Sequence, residues 1–585
     1  MPLLQGRARA VVTWAIAAVV FVFAFLLRFN DPGGSFAGLT DDHFFYLVRG
    51  WQILFGDLPV RDFVDHGAPL YYYVGAAVQI LFGRGTFSEL AFSSAMLALA
   101  TALTFWLCAR ASGWLVLGVV GAVFQQLLDP RFYNYPKLLA YAAAIPLLWR
   151  FSEKRDVRTL AWLAVVTVVS FLFRHDHGGF IGVAVAVLLL CLTDMPWLLR
   201  LRHAVTYGVF VLVLLAPYFV FIESNGGLAS YFRQASAWAE RDRDRAPVVW
   251  PGLFENPDGV SDEAKSGVGP GRAVAVVRDN SAAWMYYAEI ALPLVALLVL
   301  AASKSAARPD WPFARAKLAT VAVLGVVLDA GFLRSPLAAR LADPSVPLAI
   351  LACWLLVALP TLLLSPGALA PWAARRGGLV RAALAVTAGG VLLVLAVAPT
   401  RDLYRRLDRA SLTDRWGKPF ERATGIRKQL GTDWDLESWV ARPGRPDLIS
   451  LSMYVNACTV PTDRVLVQAY MPQVLALARR AFAGGHADLR PGFFTTDEAQ
   501  RLTLERLRRQ SVPVILLDSG KSLENFRESF PVIMAYMDEH YRAAGEHEFD
   551  NRFGVTLFVR KDATPRGTWE PLGWPCYGSG RVSSS

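Results

Sequence analysis

Charge is scarce in this chain. Asp, Glu, Lys and Arg make up 18% of its 585 residues, against about a quarter in soluble domains, while 54% are hydrophobic and the mean hydropathy is positive. That balance excludes an ordinary soluble protein and leaves a polytopic membrane protein. Cysteine is scarcer still. Of five, Cys108, Cys191 and Cys353 lie inside apolar runs, where they read as small core hydrophobes, and none has metal-site spacing. The sequence also lacks a glycine-rich phosphate loop, an internal repeat, a low-complexity tract and any basic-aromatic motif for nucleic acid. Nor does a convincing small-residue cleavage site follow the opening run RARAVVTWAIAAVVFVFAFLLRF, so that run reads as a retained span rather than a signal peptide. The net charge of +11 suits loops lying among anionic membrane lipids.

What is present is long apolar runs. Eleven are apolar enough to span: about 11–28, 90–108, 114–128, 138–149, 159–173, 179–193, 204–222, 285–302, 317–333, 346–364 and 379–398. A further segment, APLYYYVGAAVQILFG at 68–83, would reverse every later loop if it crossed. Loop charge arbitrates. With 68–83 resting at the interface, one side collects Arg7, Arg9, Arg110, the group Arg150, Lys154, Arg155 and Arg158, then Arg200, Arg202, Lys304, Arg308, Arg315, Arg375 and Arg376, which marks it as cytoplasmic. The length of 68–83 and its three tyrosines fit a helix at the headgroups. The expectation is therefore a transmembrane domain over 1–399, with a first outer loop at 29–89 and a long outer loop at 223–283. A soluble extracytoplasmic domain at 400–585 follows. That tail alternates strand-like 464–470, 512–518 and 555–561 with helical 471–483, 497–509 and 521–541, a small α/β domain. Cys458 and Cys576 are the only cysteines in that part, and an oxidising compartment would link them.

The stretch GLTDDHFFYLVRGWQILFGDLPVRDFVDHGAPLYYY, 38–73, carries the functional signal. Phe44, Leu47, Val48, Trp51, Leu54 and Phe55 recur at helical spacing while Asp42, Arg49 and Gln52 lie elsewhere, so 42–56 reads as an amphipathic helix in the membrane plane. Thr40 or Asp41 would cap it, and capping alone is the bland account of the acid pair Asp41-Asp42. The same side, however, also gathers LLDPRFYNYPKLL with Asp129, Arg131, Tyr133, Asn134, Tyr135 and Lys137, then FRHDHGG with Arg174, His175, Asp176 and His177, then Arg334 and Arg340. Cations outside run against the charge bias, and a lipid-linked phosphate at the membrane boundary would account for them. Lys137 could equally snorkel from a span end, and Arg174 could close a local ion pair with Asp176. His175 and His177, two apart, face different sides of a helix, so no shared metal is read from them.

The acidic pair outside the first span, the in-plane helix, the segment DHGAPLYYY and ten further spans before an outer domain resemble the GT-C class glycosyltransferases. The likeness is to the superfamily of protein O-mannosyltransferases and lipid A aminoarabinose transferases. It covers the first 140 residues, extends to the later spans in layout, and hardly touches the C-terminal domain. These relatives carry Asp-Glu where this chain has Asp41-Asp42, and Lys- or His-Pro-Pro-Leu where it reads His66-Gly67-Ala68-Pro69-Leu70. The resemblance implies a polyprenyl-phosphate sugar donor, inversion at the anomeric carbon and the first acid, Asp41, as general base. The acceptor, a glycan, a lipid or a protein, is left open, and divalent metal is left open too.

The residues make chemical sense of such a reaction. An acceptor hydroxyl must lose a proton, which a positioned carboxylate can take. The departing phosphate calls for fixed cations, for which Lys137, Arg131 and Arg174 stand on the expected side. His66, Asp129, Tyr135, His177 and Arg334 complete the candidate substrate-binding set, in a multi-pass protein of the inner (plasma) membrane. A transporter or flippase of a lipid-linked saccharide and a membrane-anchored envelope assembly protein are the alternatives.

Overall fold

The computed structural model describes residues 7–31, 41–244, 250, 252–253, 280–302, 311–334, 340–364, 400–431, 446–468, 470–549 and 553–577. In chain order its helices begin with α1 (Arg7–Asn30), α2 (Asp41–Leu54), α3 (Pro69–Phe82), α4 (Thr86–Ser112), α5 (Leu115–Leu127), α6 (Tyr135–Lys154), α7 (Val157–Phe173) and α8 (His175–Cys191). They continue with α9 (Trp197–Asn225), α10 (Leu228–Asp244), α11 (Ser281–Ala302), α12 (Trp311–Arg334), α13 (Ser345–Leu364), α14 (Thr400–Arg409) and α15 (Lys418–Gly431). Every expected span falls in one of these helices except 379–398, which lies outside the described residues, as does most of 223–283. Among the described residues four helices, at Arg7–Asn30, Thr86–Ser112, Trp197–Asn225 and Ala283–Ala302, are long and apolar enough to cross a membrane. The protein is a multi-pass helical membrane protein with a C-terminal α/β part.

The chain divides into two compact units. The first comprises 1–31, 93–218 and 242–424. Its helices pack as α6 on α7 and α8, α8 on α12, and α12 on α11 and α13. Small residues set these distances. A Cβ on Gly325 of α12 would stand 3.3 Å from the Cβ of Pro293 in α11, so glycine lets the two helices close. Turn chemistry starts and stops the elements. Asp156 caps α7 by accepting the Thr159 N–H at 2.7 Å, and Arg155 closes α6 with a left-handed φ of 54°.

The second unit comprises 32–92, 219–241 and 425–585. Its α/β part adds α16 (Pro446–Cys458), α17 (Pro472–Ala478), α18 (Asp497–Arg508), α19 (Lys521–Ser529) and α20 (Pro531–His540) to strands β1 (Arg464–Val467), β2 (Ala481–Phe482), β3 (Val514–Asp518), β4 (Tyr541–Phe549), β5 (Phe553–Arg560), β6 (Gly567–Trp569) and β7 (Trp574–Cys576). The sheet order is β2-β1-β3-β5-β4, parallel from β2 to β3 and antiparallel beyond, with β6 and β7 paired separately. Leu466, Ile515, Leu517, Phe526, Phe530, Ile533 and Met537 fill its core, where a Phe→Ala change costs about 3–5 kcal/mol. The helix expected over 521–541 is broken, because Pro531 starts a new helix and cannot continue the old one, and the chain turns into β4 at Tyr541.

Residues 41–82 belong to this second unit, and α2 is buried on more than its apolar face. Phe44, Leu47, Val48 and Trp51 are buried as the spacing requires, yet Arg49 and Gln52 are each only 1% exposed. Arg49 lies 3.3 Å from the Phe45 ring centre. Gln52 uses both ends of its amide: Nε2 donates to the Phe482 carbonyl and Oε1 accepts the Phe482 N–H, each at 3.1 Å. It thus pairs the free edge of β2 as a neighbouring strand would. Gly50 permits the crossing with α3, where an added Cβ would meet Tyr72 O and Ala76 N at 3.2 Å.

Cys458, the last residue of α16, is disulfide-bonded to Cys576 of β7, with the Cα atoms 4.5 Å apart. The bond closes a sequence separation of 118 residues, for which chain-entropy arguments give about 4–5 kcal/mol of stabilisation. Alkylation of the unfolded, unreduced protein should label Cys108, Cys191 and Cys353 only, with Cys458 and Cys576 labelled after reduction; alkylation of either one before reduction contradicts the pairing.

Candidate functional site

Two sets of candidate residues are built separately, one in each unit. In the first unit, Pro136 at the start of α6 presets the helix and places Lys137 in its first turn. A cation there opposes the helix dipole and calls for a counter-charge. Asp343, two residues before α13, supplies it: Lys137 Nζ donates to Asp343 Oδ2 at 2.8 Å, and Asn134 Nδ2 donates to Oδ1 at 3.1 Å. Arg174, extended ahead of α8, pairs with Asp176 at 2.9 Å in the first turn of that helix. His177 is buried, its Nδ1 in a short hydrogen bond with the Tyr141 hydroxyl and its Nε2 3.7 Å from Asp176. His175 turns the other way, stacking on Phe171 at 4.3 Å and reaching the Tyr218 hydroxyl at 3.3 Å. The two histidines therefore serve different neighbours. Tyr135 packs edge-on against Phe173, and Arg131 donates to the Tyr133 hydroxyl at 3.2 Å. Arg340 donates to the Gly331 carbonyl at 3.1 Å, and Asp343, Arg174 and Asp176 are its electrostatic neighbours.

Asp129 stands apart from this group. Its exposed carboxylate, on a residue of left-handed φ 47°, holds Arg28 and Arg406, each at 3.0 Å. Arg28 is buried in α1 and also donates to the Pro130 carbonyl at 2.6 Å. The contacts of Asp129 are those of a brace between helix ends. Arg334 closes α12, and its side chain lies outside the described residues.

In the second unit, Asp41 opens α2 with its side chain outside the described residues, and Asp42 follows in the first turn. Asp42 Oδ1 accepts from the Tyr470 hydroxyl at 2.7 Å. Burial, with the charge and hydrogen bond of Asp42, pushes the Tyr470 phenol well up, so it remains a donor. Arg490 lies 4.6 Å over the Tyr470 ring and pairs with Asp488. His66 packs between Phe45 and Phe494 at 5.3 and 6.2 Å. Desolvation, then the charges of Arg49, His486 and Arg490, holds its imidazole well below the usual range, which leaves it neutral at pH 7. Asp65, one residue before, accepts the Gly67 and Ala68 N–H groups through Oδ1 and the Tyr231 hydroxyl through Oδ2 at 2.8 Å. Among the described residues no three of His, Cys, Asp and Glu stand close enough together to hold a metal ion.

No protein-family model matches the chain, and no curated protein matches it. Among solved structures it is similar to the crystal structure of ArnT from Cupriavidus metallidurans in the apo state. The alignment covers 94% of this chain and 97% of that one, at 13% identity and a TM-score of 0.37.

Sequence reasoning missed Asp343, Tyr141 and Tyr470. Asp343 and Tyr470 come from segments distant from their partners, and no local spacing marks them. Tyr141 could have been found, since it lies four residues after Lys137 on α6 and shares a face with it. The Lys137–Asp343 pair is testable on stability. Lys137→Met and Asp343→Leu should each lower the thermal midpoint, with the double variant less affected than their sum by about 1–3 kcal/mol; strict additivity would contradict the pairing.

Proposed function

We propose that this protein is an integral-membrane glycosyltransferase of GT-C type. It takes a sugar from a polyprenyl-phosphate donor and passes it to an extracytoplasmic acceptor. The observation that carries this reading is the charge cluster of the first unit. Lys137, Arg174 and Arg340 face two acids, Asp176 and Asp343, which leaves one positive charge over. Three helices begin in the same place: α6 at Tyr135, α8 at His175 and α13 at Ser345. Free N–H groups and positive dipole ends at helix starts favour an anion, and a phosphate satisfies them and the surplus cation together.

The reaction balances without further reactants. The acceptor oxygen forms a bond to the anomeric carbon as that carbon's bond to the phosphate oxygen breaks. The hydroxyl proton passes to a carboxylate, and the polyprenyl phosphate leaves with the electron pair. Asp41 is the general base in this reading, with Asp42 held in place by the Tyr470 hydroxyl. The acid pair, the helix after it and the DHGAPLYYY segment, with their resemblance to the protein O-mannosyltransferase and aminoarabinose transferase superfamily, support that assignment. Lys137 and Arg174 receive the donor phosphate, while Asp343 and Asp176 neutralise them in the free protein. The half-buried, neutral His66 shapes the loop that follows the acids. Residues 400–585 lie on the extracytoplasmic side of the inner membrane, so the Cys458–Cys576 bond forms in an oxidising compartment.

Two measurements test the reading. Asparagine caps a helix as well as aspartate does but takes no proton, so Asp41→Asn should keep its melting temperature and lose sugar transfer by about a hundredfold to ten-thousandfold; full activity would reduce the acid pair to a cap. For orientation, cysteine replacing the exposed Trp416 should react with an impermeant thiol reagent in spheroplasts, and cysteine at Lys154 should not. The reverse pattern overturns the placement of the cluster on the outer face.

A further inference from the structure

Two acids in the first unit are buried with no hydrogen-bond partner. Glu289 of α11 is 2% exposed and Asp329 of α12 is 7% exposed, and all four carboxylate oxygens are buried without a hydrogen-bond partner. Glu289 lies within the field of Asp329 and of Asp343, the partner of Lys137. They lie near one end of the α11–α12 pair. Glu289 is eight residues from the start of α11, about 12 Å, and Asp329 five from the end of α12, about 8 Å. One turn deeper, Pro293 and Gly325 close the two helices together. Pro293 has no N–H, so the Glu289 carbonyl, four residues earlier, loses its helical partner.

The deficit extends around the charge cluster. Asn134 Oδ1, His177 Nε2 and Ser345 Oγ are also buried without a hydrogen-bond partner, on residues no more than 5% exposed. Buried polar atoms are nearly always paired, and an intramembrane carboxylate left unpaired is costly enough to require a role. Most of the deficient atoms are acceptors: two carboxylates, an amide oxygen and a hydroxyl. What they lack is a set of donors. Among the described residues no third metal-ligating side chain stands with the two carboxyls. A ring of neutral hydroxyls, each donating one hydrogen bond, supplies donors of the kind these acceptors lack.

We infer that Glu289 and Asp329 bind the sugar of the lipid-linked donor by accepting its hydroxyls, next to the cations that receive its phosphate. The inference rests on the phosphate reading above and adds the part of the donor that the phosphate cluster does not address. It makes Glu289 and Asp329 residues of sugar specificity rather than of bond breaking.

The test uses the full chain in detergent. Its ligands are the mannosyl, glucosyl and arabinosyl phosphodiesters of a polyprenol, with the methyl phosphodiester of the same polyprenol as a probe of equal charge and no sugar. The wild type should bind one sugar form at least about tenfold tighter than the methyl form. Glu289→Gln and Asp329→Asn should each cut that preference by about tenfold to a hundredfold and leave the methyl form bound within about twofold. Both variants should melt no lower than the wild type, because each replaces a buried carboxyl group that no protein group meets with a side chain of the same shape. A preference unchanged in both variants, a wild type that binds every sugar form no better than the methyl form, or melting that falls in both variants overturns the inference and leaves the phosphate site standing. Failure of all four lipids to bind overturns the phosphate reading and this inference together.

Discussion

Lys137 occupies the first turn of α6, where the helix dipole repels a cation, and it stays there because Asp343 meets it at 2.8 Å. The organisation of that end of the first unit follows from this constraint, since a charge removed from water must be met by another. Asp343 is brought in by the segment preceding α13 and shares its second oxygen with Asn134. Arg174 and Asp176 repeat the arrangement at the start of α8. Such pairs contribute little net stability, because desolvating both ions offsets their attraction, but breaking one is expensive. Their use is placement. They keep cations at the starts of α6 and α8, where bulk water would otherwise draw long side chains away.

In the second unit the corresponding constraint is the open edge of a sheet. β2 is two residues long and pairs with β1 on one side only. Gln52 fills the other side with a side-chain amide, Asp57 anchors nearby by accepting from Arg464 at 2.9 Å, and Val64 donates to the Gly485 carbonyl at 3.0 Å. These bonds tie residues 41–82 to the α/β part, and Tyr470 carries the tie to Asp42. The loop that bears the acid pair is thereby ordered by a domain whose own sequence offers no catalytic motif. Its contribution is to hold the loop.

The helices were legible because apolar runs are the strongest signal a chain carries. Strands β1, β3 and β5 were legible for the same reason, each being short, apolar and bounded by polar turns. β4 was not, since its sequence YRAAGEHEF is polar and earns its place only by pairing with β5. The amphipathic spacing of α2 correctly put Phe44 and Trp51 inside, yet it assigned Arg49 and Gln52 to a wet face. Their partners, Phe45 and the Phe482 backbone, overrode that pattern through tertiary contacts invisible in a local window. The cations Lys137 and Arg174 were found because they broke a charge bias. Asp176 was readable from the sequence as the partner of Arg174, two residues away, whereas Asp343 was not, because an aspartate in a distant loop is unremarkable until its partner is known. Glu289 and Asp329 sat inside runs read simply as spans, although a carboxylate within such a run is itself a signal.

The claim that joins these observations is that the ends of α6, α8 and α13 hold a lipid-linked phosphate. A cryo-electron microscopy map of the full chain in nanodiscs, saturated with a polyprenyl phosphate, tests it most directly. The account predicts density for the phosphate within hydrogen-bonding distance of Lys137 and Arg174, with the polyprenyl chain leaving along the apolar helices. A well-ordered lipid phosphate bound elsewhere, with Lys137 still closed on Asp343 and Arg174 on Asp176, would contradict it.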